Sequence, residues 1–129
     1  MLERARAALR DLPPDTILAG FSMGAGLAGA LLADRPDTPG LLLLHGVGGD
    51  PTVVRAGLPV QLHIADPDGY DPPAEVDRWE REMTAAGTAL TVYRYPGLGH
   101  LWTDPELAGY DPEVDRLTWD RAVAFLTGR

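Results

Sequence analysis

The sole serine of the chain, Ser22, stands in the pentapeptide GFSMG, between Gly20 and Gly24. A G-x-S-x-G turn from a strand into a helix lifts a serine hydroxyl above a sheet, and glycines flank it because the tight backbone leaves no room for side chains. The chemistry served is attack on a carbonyl, which requires a histidine to take the hydroxyl proton and a carboxylate to orient that histidine. The same stretch holds Gly24, Gly26 and Gly29 in G-x-G-x-x-G spacing, the dinucleotide fingerprint. That pattern wants its first glycine directly at the strand end and an acid about 20 positions on, at the end of the next strand. Here Phe21, Ser22 and Met23 intervene, and the next apolar run, LLLLH, ends in His45. The three glycines are therefore read as helix-to-sheet packing positions, with nucleotide binding as the lesser alternative.

Three histidines compete for the base. His45 ends one apolar run and His63 lies inside another, positions that suit packed sheet residues with a satisfied ring nitrogen. His100 follows the last strand pattern in the glycine loop PGLGH, a placement suited to a general base. For the acid, the loop after PVQLHIA offers Asp66, Asp68 and Asp71; Asp71 is read as a helix cap ahead of Pro72, Asp68 is preferred and Asp66 stands second. The run DPDGYD does not match a calcium loop, whose glycine falls at the sixth position and whose glutamate falls at the twelfth. No metal site is expected.

These residues need elements to hold them. Leu2, Ala5, Leu9 and Leu12 recur at helical spacing before Pro13 and Pro14. Strands are predicted over 16–21, LLLLH, 59–65 and 89–95, and the unalternating leucines imply burial on both faces, as in a parallel sheet. Helices are predicted from Met23, after Asp71 with Val76, Trp79, Met83 and Ala86 on one face, and from Asp111 with Val114, Leu117, Ala122, Phe125 and Leu126 inward. Helix and strand alternate, which predicts a single α/β domain with a mostly parallel sheet and right-handed crossovers. Ser22, Asp68 and His100 would then share the carboxyl edge.

Composition narrows the partners. With 19 acidic and 11 basic residues the net charge is −8, which repels nucleic acid and anionic membranes. Cysteine is absent, so disulfides, thiolate metal sites and a cysteine nucleophile are excluded. The opening MLERARAALRDL lacks an uninterrupted apolar run, and a cytoplasmic protein is expected.

Through GFSMGAG, PVQLHIADPD with P-P-A-E-V, VYRYPGLGH and YDPEVDRLTWDRAVAFL, the chain resembles the dienelactone hydrolase branch of the α/β-hydrolases. The resemblance spans essentially the whole chain but only the carboxyl-terminal part of that fold. It implies Ser22 as nucleophile, Asp68 as acid and His100 as base, with the Met23 N–H meeting the oxyanion and no cofactor required. Dienelactone hydrolases proper carry cysteine at the nucleophile position and an arginine shortly after the histidine, where Leu101, Trp102, Thr103 and Asp104 stand here. The implied substrate is therefore a small neutral ester or lactone. The family lays strands ahead of the elbow, so the sheet is expected to lack its amino-terminal strands, to expose the edge of strand 16–21 and to invite a homodimer there. Feeble turnover by the lone chain, or a silent binding module of the same fold, are the corresponding alternatives.

Overall fold

The computed structural model describes residues 1–128. In chain order it contains α1 (Leu2–Arg10), β1 (Leu18–Phe21), α2 (Met23–Ala30) running into a short 3-10 turn at Leu31–Asp34, β2 (Leu41–Leu44), β3 (Pro59–Asp66), α3 (Pro73–Ala85), β4 (Ala89–Pro96) and α4 (Pro112–Thr127). The four strands form one sheet in the order β1-β2-β3-β4. Every pairing is parallel, with Leu18 opposite Leu41, Leu41 opposite Val60 and Val60 opposite Leu90. A parallel sheet ends all its strands on one side, so the loops after β1, β3 and β4 open onto a common rim.

Alternation along the strands divides the interior. Leu41 and Leu43 with Val60, Leu62 and Ile64 pack under α1, α2 and α3 through Leu9, Ala25, Ala28, Val76, Trp79 and Met83. Leu42 and Leu44 point to the opposite face and meet Ala122 and Phe125 of α4. The four-leucine run is therefore buried on both sides, as its lack of alternation predicts.

Four expectations need correction. The crossover from β2 to β3, residues 45–58, contains no helix, because Gly46, Gly48, Gly49 and Pro51 break helical geometry along that segment. On α4 the fully buried positions are Thr118 and Ala122, while Leu117 and Leu126 are 42% and 43% exposed. Thr118 can be buried because its hydroxyl accepts from Trp102 Nε1 at 2.9 Å and donates to the Val114 carbonyl at 2.8 Å. Asp111 caps α4 as expected, accepting from the N–H groups of Glu113 and Val114, but Asp71 does not cap α3. Of the three fingerprint glycines, only Gly29 is a packing position: a Cβ there would lie 2.0 Å from the Gly49 nitrogen, whereas Gly24 and Gly26 face open space.

β1 is an edge strand, and its Phe21 is 45% exposed against Trp119 of α4, ring centres 5.7 Å apart. Among the described residues no helix is long and apolar enough to cross a membrane.

Gly20 is as tightly constrained as Gly29, since a Cβ on it would sit 2.0 Å from the Gly24 carbonyl oxygen. Gly20→Ala is expected to cost about 1–3 kcal/mol through displaced backbone. Gly26→Ala, on the exposed side of α2, is expected to gain about 0.5–1 kcal/mol from helix propensity. Urea unfolding midpoints of the two variants check both signs.

Candidate active site

The turn between β1 and α2 is short because both sides are pinned. The N–H of Ser22 donates to the Leu44 carbonyl at 2.8 Å, continuing the β1 to β2 ladder one residue past the strand. The chain then reverses at once into α2, which places Ser22 at φ 52 and ψ −116. A non-glycine residue in that region is strained, and such strain concentrates at functional turns. The hydroxyl emerges at the rim, and the N–H of Met23 lies in the first turn of α2, where helix geometry supplies no carbonyl partner.

The other two predicted residues converge on it. The Ser22 Oγ–H donates to His100 Nε2 at 2.8 Å across 78 positions of sequence. His100 Nδ1–H donates to Asp68 Oδ2 at 2.6 Å. Asp68 Oδ1 accepts from the backbone N–H groups of Tyr70 and Asp71 at 2.8 and 3.0 Å, so the carboxylate is fixed at both oxygens. Its side chain is fully buried. Burial opposes ionisation of Asp68, but the hydrogen bonds from His100, Asp71 and Tyr70 outweigh it and hold the carboxyl below its ordinary range. Asp66, the second candidate, ends β3 and makes no bond to His100. Asp71 accepts from the Val47 N–H at 3.2 Å and so ties the acid loop to the loop after β2; Pro72 takes the N-cap position of α3 in its place. The arrangement is that of a hydroxyl, an imidazole and a carboxylate in series, able to pass a proton from the first to the second while the third stabilises the cation formed.

A parallel sheet with a strand-to-helix serine turn and a histidine loop on one rim defines an α/β-hydrolase fold. A profile of the Dienelactone hydrolase family matches residues 2–128, and the chain belongs to that family. A curated protein of Azospirillum brasilense that carries the proposed name carboxymethylenebutenolidase is 30% identical over 98 residues, covering 74% of this chain and 42% of that protein. Among solved structures, a proposed dienelactone hydrolase from Klebsiella pneumoniae superposes with a TM-score of 0.74 at 18% identity, over 97% of this chain and 57% of that one. Thermogutta terrifontis esterase 2 phosphoramylated by tabun superposes with a TM-score of 0.66 at 14% identity, over 97% of this chain and 60% of that one. The chain thus spans less than half the length of the curated relative and somewhat more than half that of the structures.

Several residues at the rim carry no signal in the sequence. Tyr70 lays its ring 4.4 Å from that of His100 while remaining 78% exposed. Thr103 bonds His45 Nε2 at 2.8 Å, and Trp102 meets the His45 ring edge-on at 4.3 Å, so His45 anchors the loop that carries His100. The pairing is long-range and could be found only from coordinates. His63, buried on the face of the sheet that α4 covers, is satisfied at both nitrogens, by Tyr95 Oη and Gln61 Oε1 at 2.7 Å each. His63 is thus a packed sheet residue as its position suggests, whereas His45 stands one position past β2 at φ 65, buried with Nε2 engaged and Nδ1 without a hydrogen-bond partner among the described residues.

Burial pushes His45 down to about 4, with the nearby His100 adding to the effect. Burial, then the charge of Arg121, does the same to His63. A histidine that ionises near 4 when folded and near 6.5 when unfolded binds its proton more readily after unfolding. Its contribution to stability is therefore full above pH 6.5 and is lost as the pH falls toward 4. The loss is on the order of 3 kcal/mol for each residue. Asp68 acts with the same sign at lower pH, where its depressed carboxyl takes up a proton. Urea unfolding between pH 7 and 4.5 is expected to show falling stability, and His63→Gln is expected to reduce the slope by about one proton.

Proposed function

We propose that the chain carries the catalytic machinery of a serine hydrolase acting on small neutral esters or lactones, with Ser22 as nucleophile, His100 as general base and Asp68 as its orienting acid. The observation that carries this reading is the continuous pair of short bonds, 2.8 Å from Ser22 to His100 and 2.6 Å from His100 to Asp68. Family membership and the fold shared with esterases support it.

In this mechanism Ser22 Oγ attacks the carbonyl carbon as His100 Nε2 takes its proton. The carbonyl oxygen becomes an anion, and the Met23 N–H at the start of α2 donates to it, assisted by the helix dipole. His100 returns the proton to the departing oxygen, leaving an acyl group on Ser22. Water activated by the same imidazole then releases the acid. Asp68, already ionised and held by three donors, stabilises the imidazolium at each stage without taking the proton.

The open edge of β1 is proposed to pair with a second copy of the chain. Residues 16–23 carry none of the charges or prolines that guard edge strands. Exposed Phe21, Trp119 and Val123 flank that edge, forming an apolar strip that a two-fold axis would bring against itself. Sedimentation is expected to show a dimer that Phe21→Glu converts to monomer; monomer alone for the parent at micromolar concentration overturns the pairing.

An uncharged alkyl fluorophosphonate is expected to add one phosphonyl group per chain, located on Ser22 by peptide mass mapping. Ser22→Ala is expected to abolish labelling, and His100→Ala to slow it at least about 100-fold. A folded chain that remains unlabelled would identify a silent module of the same fold.

A further inference from the structure

Beside His100, the loop after β4 folds over a cavity of about 230 Å³. Its wall includes His100 itself, with Tyr70, Leu98, Trp102, Leu107, Tyr110 and a single carboxylate, Asp104; no arginine lines it. The polar ends of the two inner aromatics are engaged elsewhere. Trp102 Nε1 donates to Thr118 Oγ1 at 2.9 Å, and Tyr110 Oη donates to Asp115. What Trp102 and Tyr110 offer the cavity is therefore ring surface. Asp104 accepts from the Glu106 N–H through Oδ1 at 3.0 Å, a turn contact that leaves its negative charge in place.

The position of the cavity assigns it a part of the substrate. In the step that breaks the ester, the bond from carbon to the alkoxy oxygen cleaves, its electron pair stays on that oxygen, and the proton on His100 Nε2 moves there. The leaving oxygen must be within hydrogen-bond reach of Nε2 for this transfer. Whatever group that oxygen carries then starts at the His100 ring, which is one wall of the cavity. The acyl portion, bonded to Ser22 Oγ, has no such requirement.

We infer that this cavity receives the alcohol portion of the ester and that Asp104 makes it selective for uncharged and cationic alcohols over anionic ones. The inference rests on the reading of Ser22 as nucleophile. Ring faces attract cations through their quadrupoles, and the carboxylate adds attraction of the same sign. An anionic group meets repulsion from Asp104 with no lining arginine to offset it, while the His100 charge faces all three kinds of leaving group alike. At a partly solvated separation of several ångströms this amounts to about tenfold in rate for each unit of charge. The volume suits a group about the size of a substituted benzene ring.

The test uses methylphosphonate esters of three phenols matched in acidity, one uncharged, one bearing a trimethylammonium group and one bearing a carboxylate. The phosphonylation rate of Ser22 is read by mass spectrometry, which requires no deacylation. An alkyl fluorophosphonate, whose fluoride leaving group has nothing to place in the cavity, serves as reference. The expected order is cationic, then uncharged, with the anionic ester about tenfold slower than the uncharged one. Asp104→Asn is expected to remove most of the difference between the charged esters, and Asp104→Arg to invert it, while the fluorophosphonate rate stays unchanged. Leu107→Trp, which fills the cavity, is expected to slow the three phenol esters and spare the fluorophosphonate. A charge preference in Asp104→Asn equal to that of the parent, or an equal slowing of the fluorophosphonate by Leu107→Trp, overturns the assignment alone. Failure of the fluorophosphonate itself to label Ser22 overturns the nucleophile reading, and the assignment with it.

Discussion

The contact between position 20 and the carbonyl of Gly24 governs the geometry of the rim. With a side chain at Gly20 the first turn of α2 could not close against the end of β1, since a Cβ would stand 2.0 Å from that oxygen. The close approach turns the chain through the strained backbone of Ser22, and it fixes both the direction of the hydroxyl and the placement of the Met23 N–H. The sheet does the rest. Because all four strands run the same way, the loops carrying Asp68 and His100 arrive at the same rim, and two hydrogen bonds join residues far apart in sequence.

Local chemistry explains what could be read without coordinates. The serine turn, the leucine run buried on both faces and the start of α4 at Asp111 each depend on residues within a few positions of one another, and each lies where the pattern puts it. The misplacements have tertiary causes. Hydrophobicity alone assigns Leu117 to the interior of α4, but Trp102 supplies a donor for the Thr118 hydroxyl and thereby buries that residue. Asp71 looks like a cap until Val47, 24 positions earlier, is seen to engage its carboxylate. The choice between Asp68 and Asp66 was likewise beyond spacing, because the two stand only two positions apart, one ending β3 and one just past it, and only the path of the chain there decides which reaches His100.

The two faces of the sheet are chemically unlike. Under α1, α2 and α3 the contacts are aliphatic apart from the Trp79 indole, which donates to the Gly48 carbonyl at 3.0 Å. Facing α4, β3 and β4 present a polar and aromatic band. Gln61, His63 and Tyr95 are linked by hydrogen bonds, Tyr93 stacks on His63, and the Arg121 guanidinium lies 4.1 Å above the Tyr93 ring. Buried polar groups joined in this way fix one arrangement of the helix over the sheet, because any slippage leaves donors and acceptors without partners. That face seats α4, and through Thr118 it also seats Trp102 two residues beyond His100.

The strands occupy the sheet in the order in which they occur in the chain. A polypeptide emerging from a ribosome therefore adds each strand beside the one made just before it. The hydroxyl is laid down first, the carboxylate follows, and the imidazole comes last, once most of the chain has been made. Until then the Ser22 hydroxyl lacks the imidazole through which it is linked to the carboxylate in the folded chain.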